Sequence, residues 1–172
     1  MKNGLPYRLG RSALYLILAG IAISLKNNID GLSFYFGVIA LISAGLTLVY
    51  LFLHFDENVS REIITEMVVD AFSGLVIFTY PNSNNEFFLI IFSFWFTVMG
   101  LLMLTSGLLN KNNKEYLWLY VLLGISYIVA GFSLMNVAQD SAGLINYFMG
   151  FALVVYTFIN GWLIIQRKQE IY

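Results

Sequence analysis

Six long apolar segments follow one another along the chain, separated by short polar stretches. Each segment has about 18 to 24 residues, enough for a helix to cross a hydrocarbon layer of roughly 30 Å. The segments lack the alternation of barrel strands, and a helix satisfies its own backbone hydrogen bonds in lipid. The pattern therefore predicts an all-α membrane protein with six transmembrane helices, over residues 7–25, 32–55, 63–80, 87–109, 116–137 and 143–165.

The polar connections predict that consecutive helices pair as three helical hairpins. Short turns at 26–31, 81–86 and 138–142 close the predicted hairpins, and residues 56–62 and 110–115 lie between them. A small residue or Asn160 followed by glycine recurs once in each helix, and small side chains let helix backbones approach closely in lipid. These glycines are Gly20, Gly45, Gly74, Gly107, Gly131 and Gly161. We interpret them as helix-packing positions of a hairpin repeated three times; chance recurrence is the alternative, because glycine is common in membrane helices.

Basic residues are distributed unevenly between the two sets of connections. The termini and the connections between hairpins hold Lys2, Arg8, Arg11, Arg61, Lys111, Lys114, Arg167 and Lys168, whereas the hairpin turns hold only Lys26. Because cytoplasmic loops carry the excess of Lys and Arg, both termini are predicted to be cytoplasmic. Trp118 and Trp162 would then lie near the cytoplasmic interface as aromatic anchors.

Composition supports one membrane-embedded domain over residues 1–172 and excludes several functions. The 172 residues are 59% hydrophobic and only 11% charged, against about a quarter charged in soluble domains. A net charge of −1 offers no basic surface for nucleic acid. The chain has no cysteine, one histidine and no hydrolase or nucleotide-binding motif. We therefore expect no catalytic residues, no metal site and no cofactor, so the chain is not expected to be an enzyme.

Asp70 interrupts the third apolar segment and is the main candidate for a functional polar site. It lies about 10 Å along the helix from Ile63, inside the cytoplasmic leaflet. Candidate neighbours in this site are Glu66, Asn160, Tyr15 and Tyr127. Loss of hydration disfavours a charged carboxylate, which makes Asp70 a candidate proton-responsive group. The alternative is a structural Asp70, hydrogen-bonded across helices or paired with Arg11 near the interface.

His54 is the only histidine and stands near the predicted cytoplasmic end of the second helix. Histidine changes its charge near neutral pH, so His54 is a candidate sensor of cytoplasmic acidification. An interfacial capping role is the simpler interpretation.

A family resemblance adds to this picture. Arg11 is followed after eight residues by Gly20, and the segment from Trp118 to Gly124 continues to Ala130-Gly131, across three short hairpins. This arrangement resembles the HdeD-type acid-resistance membrane proteins of bacteria, over roughly residues 11–167. The resemblance implies a multi-pass protein of the bacterial inner membrane that is associated with survival in acid, and it supplies no catalytic residues.

Three functions remain open from the sequence. The first is a non-enzymatic membrane protein of the acid-resistance or envelope-stress type. The second is a small oligomeric transporter or channel with a path past Asp70. The third is an accessory subunit of a larger membrane complex. The expected partners are therefore the lipid bilayer and either further copies of the chain or another membrane protein.

Overall fold

A computed structural model describes residues 4–25, 28–54, 61–80, 85–109, 117–135 and 142–166, which form six α-helices and no strand. The helices are α1 (Gly4–Ser24), α2 (Ile29–Leu53), α3 (Arg61–Thr79), α4 (Asn85–Leu109), α5 (Leu117–Met135) and α6 (Ala142–Gln166). Their ends lie within three residues of those that the hydrophobic pattern predicts. Residues 26–27 of the first predicted turn and most of the predicted turns at 81–86 and 138–142 lie outside the described residues, as do Lys2, Lys26, Lys111, Lys114, Arg167 and Lys168.

Four of these helices are long and apolar enough to cross a membrane. They are α2, most of α4 (Glu86–Leu108), α5, and most of α6 (Leu144–Trp162). The other two, α1 and α3, have 21 and 19 residues but carry charged side chains, including Arg11 and Asp70. The described residues therefore form an all-helical protein with membrane-spanning helices. Whether six helices span the membrane depends on whether the charged side chains of α1 and α3 are compensated inside the bundle.

The bundle has an apolar exterior and an aromatic interior. Phe52, Leu53 and Phe158 are more than 70% exposed, as expected for side chains that face lipid. Inside, Phe36 of α2 packs edge-on against Phe92 and Trp95 of α4, with ring centroids 5.0 and 5.9 Å apart. All three rings are completely buried. This aromatic centre packs α2 against α4 in the interior of the bundle.

The most extensive helix contacts are α4 with α5, α1 with α6, and α2 with α3. Within the predicted hairpins, α1 contacts α2 and α3 contacts α4 less extensively, and α5 and α6 make few contacts. The tightest packing is therefore between helices that the sequence places in different hairpins.

Small residues explain why these three pairs are close. A Cβ atom on Gly74 would lie 3.0 Å from the carbonyl oxygen of Gly37, and one on Gly131 would lie 2.8 Å from that of Ser93. On α6, a Cβ on Gly150 would lie 3.1 Å from the carbonyl oxygen of Ala19. Such distances leave no room for a larger side chain, so the backbones touch directly. Gly37, Ser93 and Gly150 are each the ninth residue of a 25-residue helix.

The six glycines predicted to pack helices divide into two groups. Gly74, Gly107 and Gly131 do meet a neighbouring helix, and a Cβ on Gly107 would lie 2.6 Å from the Cβ of Tyr120. Gly20, Gly45 and Gly161 meet no other helix in the described part of the chain, because a Cβ on any of them would have nothing within 4 Å. The motif of a small residue followed by glycine does not indicate which of the two residues faces a neighbouring helix. On α1 it is Ala19, and not Gly20, that faces α6.

Candidate functional site

The buried polar residues of α3, which are Glu66, Asp70 and Ser73, share one face that points into the bundle. Ile63, Glu66, Asp70, Ser73 and Ile77 follow one another at alternating spacings of three and four residues, and all are buried. That spacing places them on one side of an α-helix. The sequence therefore directs Glu66 and Asp70 inward, toward α1, α2 and α4.

Asp70 is completely buried, and each of its oxygens accepts hydrogen bonds from neighbouring helices. Its Oδ1 accepts from the Tyr15 hydroxyl at 2.8 Å and from the Trp95 indole nitrogen at 2.7 Å. Its Oδ2 accepts from the Ser43 hydroxyl at 2.6 Å. These donors lie on α1, α4 and α2, so one carboxylate joins α3 to three other helices.

Arg11 supplies the positive charge opposite this carboxylate. Its Nε donates to Asp70 Oδ2 at 3.2 Å and its Nη2 donates to Oδ1 at 3.3 Å and to Oδ2 at 3.1 Å, so the guanidinium contacts both carboxylate oxygens as a bidentate ion pair. Its Nη1 lies 3.0 Å from Glu66 Oε2 and donates to the Tyr156 hydroxyl of α6, also at 3.0 Å. The side chains of Arg11, Glu66 and Asp70 are all at least nine-tenths buried. We call Arg11, Tyr15, Ser43, Glu66, Asp70, Trp95 and Tyr156 the ion cluster.

The donors around Asp70 suit a charged carboxylate. An indole nitrogen and a guanidinium can only donate hydrogen bonds, so neither can accept one from a protonated Asp70. The Tyr15 and Ser43 hydroxyls can both donate and accept, so one of their hydrogen bonds would have to reverse direction if Asp70 took up a proton.

Polar and aromatic contacts continue from the ion cluster toward the end of α2. The Thr47 hydroxyl donates to the Ser43 carbonyl oxygen at 2.9 Å and lies 3.1 Å from the Tyr7 hydroxyl. Tyr7 stacks on Tyr50 with centroids 4.8 Å apart, and Tyr50 lies 4.4 Å from the His54 ring. The backbone N–H of His54 donates to the Tyr50 carbonyl oxygen, and its Nδ1 lies 3.0 Å from the same oxygen. His54 thus occupies the C-cap of α2.

The structure brings together some of the predicted site residues and separates others. Asp70, Glu66 and Tyr15 meet in the ion cluster, where Asp70 is paired with Arg11 as the structural alternative describes. Tyr127 and Asn160 do not join them. The Tyr127 hydroxyl donates instead to the Ala152 carbonyl oxygen at 2.9 Å.

The position of Asn160 along α6 and the location of Tyr127 on α5 explain why these two residues lie outside the ion cluster. Asn160 is half-buried and lies one turn of α6 beyond Tyr156, which is the residue that reaches Arg11. Tyr127 lies on α5, with its ring stacked on Phe96 at 5.0 Å and edge-on to Tyr156 at 5.6 Å. It therefore contacts the ion cluster through the ring of Tyr156.

Sequence reasoning missed Ser43, Trp95 and Tyr156 as members of the cluster. The one available signal was Arg11, a charged residue inside the first apolar segment that requires a buried partner of opposite charge. Serine, tryptophan and tyrosine are ordinary residues of membrane helices, so their role becomes visible only once the helices are packed. In the described parts of the chain, no group of three or more His, Cys, Asp or Glu residues is placed to hold a metal ion.

Comparison with known proteins gives one match. Residues 68–136 match the family described as a short repeat of unknown function (DUF308). The matched segment begins just before Asp70, includes α4 with Trp95, and ends at the close of α5, so it covers less than half of the chain. No curated protein and no solved structure matches the chain. Together with the apolar helices, the match indicates a membrane protein with a segment similar to this repeat family.

Proposed function

We propose that the chain is a non-enzymatic, multi-pass protein of the bacterial inner membrane, of the HdeD-type that supports survival in acid or envelope stress. The observation that carries the proposal is the ion cluster, which holds five of the six helices in one bundle. Its donors and acceptors form hydrogen bonds with one another, and this arrangement fits a structural role better than a catalytic one.

The ion cluster also supports a transmembrane position for α1 and α3. Charged groups in a bilayer are tolerated when they face the bundle interior and pair with one another. Arg11, Glu66 and Asp70 meet both conditions. At 1.5 Å per residue, helices of 21 and 19 residues are about 32 and 28 Å long, enough to span the hydrocarbon layer. We therefore infer six spans with both termini in the cytoplasm.

An internal repeat is supported by the closest helix contacts. Each of the three tight pairs joins a helix of 25 residues, at its ninth residue, to Ala19, Gly74 or Gly131 of its neighbour. The match to a short-repeat family agrees with this arrangement. We infer three related units, with each tight contact formed between two different units rather than inside a hairpin.

The acid-resistance assignment has two supports. The sequence resembles HdeD-type proteins, and the matched repeat family is the one that contains them. The transporter alternative receives less support, because Asp70 is completely enclosed and any path past it would break the contacts of the ion cluster.

Membrane topology provides the first test. Reporter fusions that distinguish cytoplasm from periplasm would be placed after each helix of the full chain. We expect cytoplasmic signals at both termini and alternation at every intervening site. Reporters before and after α3 on the same side of the membrane would contradict the proposal.

Acid challenge of living cells provides the second test. A strain lacking the gene should lose viability after an acid shock relative to its parent, and expression of the wild-type chain should restore it. Equal survival of the deleted and complemented strains, at normal protein levels, would contradict the stress role while leaving the topology intact.

A further inference from the structure

The six helices form an incomplete circle. Around the bundle, α6 contacts α1, α1 contacts α2, α2 contacts α3, α3 contacts α4, and α4 contacts α5. A contact between α5 and α6 would complete the circle, but within the described residues these two helices make few contacts. We call the side of the bundle where α5 faces α6 the seam. The seam is therefore the least connected side of the fold, although α5 and α6 follow one another in the chain.

The tight helix contacts define a common register for the three odd-numbered helices, and α5 differs from the other two. Four residues before the tight contact, α1, α3 and α5 carry in that order Tyr15, Asp70 and Tyr127. Eight residues before it, they carry Arg11, Glu66 and Leu123. At these two positions α5 therefore has no charged residue. This explains why α5 is the one helix that contributes no member to the ion cluster.

Tyr127 joins the two sides of the seam through a contact that corresponds to the hydrogen bond between Trp95 and Asp70. Trp95 of α4 and Ala152 of α6 are each the eleventh residue of a 25-residue helix. In one hairpin the Trp95 indole donates to Asp70 Oδ1, and in the other the Tyr127 hydroxyl donates to the Ala152 carbonyl oxygen at 2.9 Å. The side chain at this position of α6 is only a methyl group, so the link across the seam is made by the long side chain of Tyr127.

The helices on either side of the seam are fixed more firmly to their other neighbours. The backbone of α5 touches that of α4 at Gly131, and the backbone of α6 touches that of α1 at Gly150. The bond from Tyr127 to a carbonyl oxygen joins two neutral groups, whereas the α3–α4 link ends on a charged carboxylate. Hydrogen bonds to charged groups are roughly twice as strong as neutral ones. Separation of neighbouring helices should therefore begin at the seam.

We propose that the bundle opens at the seam and that Tyr127 is the latch that holds α5 against α6. The ring of Tyr127 also lies edge-on to that of Tyr156, with centroids 5.6 Å apart. With the seam closed, Tyr156 is 2% exposed and accepts a hydrogen bond from Arg11. Opening would expose Tyr156, and through it the ion cluster, to the surroundings of the bundle. The inference depends on the helix contacts and not on the proposed stress role.

Distances between pairs of nitroxide labels, measured by electron paramagnetic resonance on the full chain in lipid nanodiscs, test the proposal. The chain has no native cysteine, so labels can be attached to introduced ones. Val129→Cys on α5 with Phe158→Cys on α6 reads the seam, and Val129→Cys with Leu101→Cys reads the α4/α5 pair. All three side chains are at least 47% exposed in the wild type.

Tyr127→Phe removes the hydrogen bond across the seam and keeps the ring. We expect it to increase the population of long α5–α6 distances by about 3- to 30-fold, as the strength of interhelical hydrogen bonds in membranes implies. The α4–α5 distances should not change. Tyr147→Phe, the same substitution at a 51% exposed position of α6, is the matched control and should leave both pairs as in the wild type.

Two results would overturn the proposal. One is an α5–α6 distance distribution in Tyr127→Phe that matches the wild type. The other is equal broadening of the α4–α5 distances, because it would show a general loosening of the bundle. Neither result bears on the acid-survival test, which reads the proposed function separately.

Discussion

Two regions of the bundle hold their helices together by different means. Between α4 and α5, Gly100 and Gly124 approach so closely that a Cβ on either would lie less than 3 Å from the other's carbonyl oxygen. Between α1 and α3, association depends on the buried charges of Arg11 and Asp70. Packing of small residues tolerates no added atoms, whereas a buried ion pair tolerates no lost partner. The two regions should therefore fail under opposite kinds of substitution.

The largest expected effect is that of Asp70→Ala. It leaves the guanidinium of Arg11 buried beside Glu66 alone and removes the acceptor of three further donors. Breaking one side of a buried pair costs about 3 to 5 kcal/mol, so thermal unfolding in mild detergent should begin at a clearly lower temperature. Asp30→Ala, an exposed carboxylate in the first turn of α2, is the matched control and should cost less than about 1 kcal/mol. Equal losses in the two variants would contradict a special role for Asp70.

A smaller loss is expected when one methyl group is added between α4 and α5. In Gly124→Ala the new Cβ would lie 2.5 Å from Leu104 Cγ and 2.8 Å from the Gly100 carbonyl oxygen. The helices must separate, at a cost of about 1 to 3 kcal/mol. Gly45→Ala places the same methyl group in open space and should leave the unfolding temperature unchanged. Tolerance of Gly124→Ala would show that this pair is not held by backbone contact.

The smallest effect concerns a single hydroxyl group of the ion cluster. Tyr15→Phe removes only the hydrogen bond to Asp70 Oδ1 and keeps the buried ring. Interhelical hydrogen bonds in membranes contribute about 0.6 to 2 kcal/mol, so a modest fall in the unfolding temperature is expected. Tyr35→Phe, whose side chain is 42% exposed, should have no effect. A loss as large as that of Asp70→Ala would place Tyr15, rather than the ion pair, at the centre of the cluster.

The sequence predicted the positions of the helices and the importance of isolated charged residues. It was less informative about which face of each helix is buried and which residues of other helices contact it. The ends of the apolar segments locate the helices because hydrophobic length is a property of each segment alone. Asp70 and Glu66 were identifiable because a charge in an apolar helix requires compensation. Ser43, Trp95 and Tyr156 were not, since their contacts depend on which helices become neighbours. The same limit explains why the sequence could not show that Gly74 packs against α2 whereas Gly20 meets no other helix in the described part of the chain.

A double-mutant cycle on Arg11 and Asp70 tests most directly the claim that their pairing holds α1 to α3. The free energy of unfolding would be measured for the wild type, Arg11→Met, Asp70→Ala and the double variant. Because each single variant leaves buried charge unpaired, we predict that the double variant loses less than the sum of the singles, with a coupling energy of about 1 to 3 kcal/mol. Losses that add to within about 0.5 kcal/mol would contradict this account.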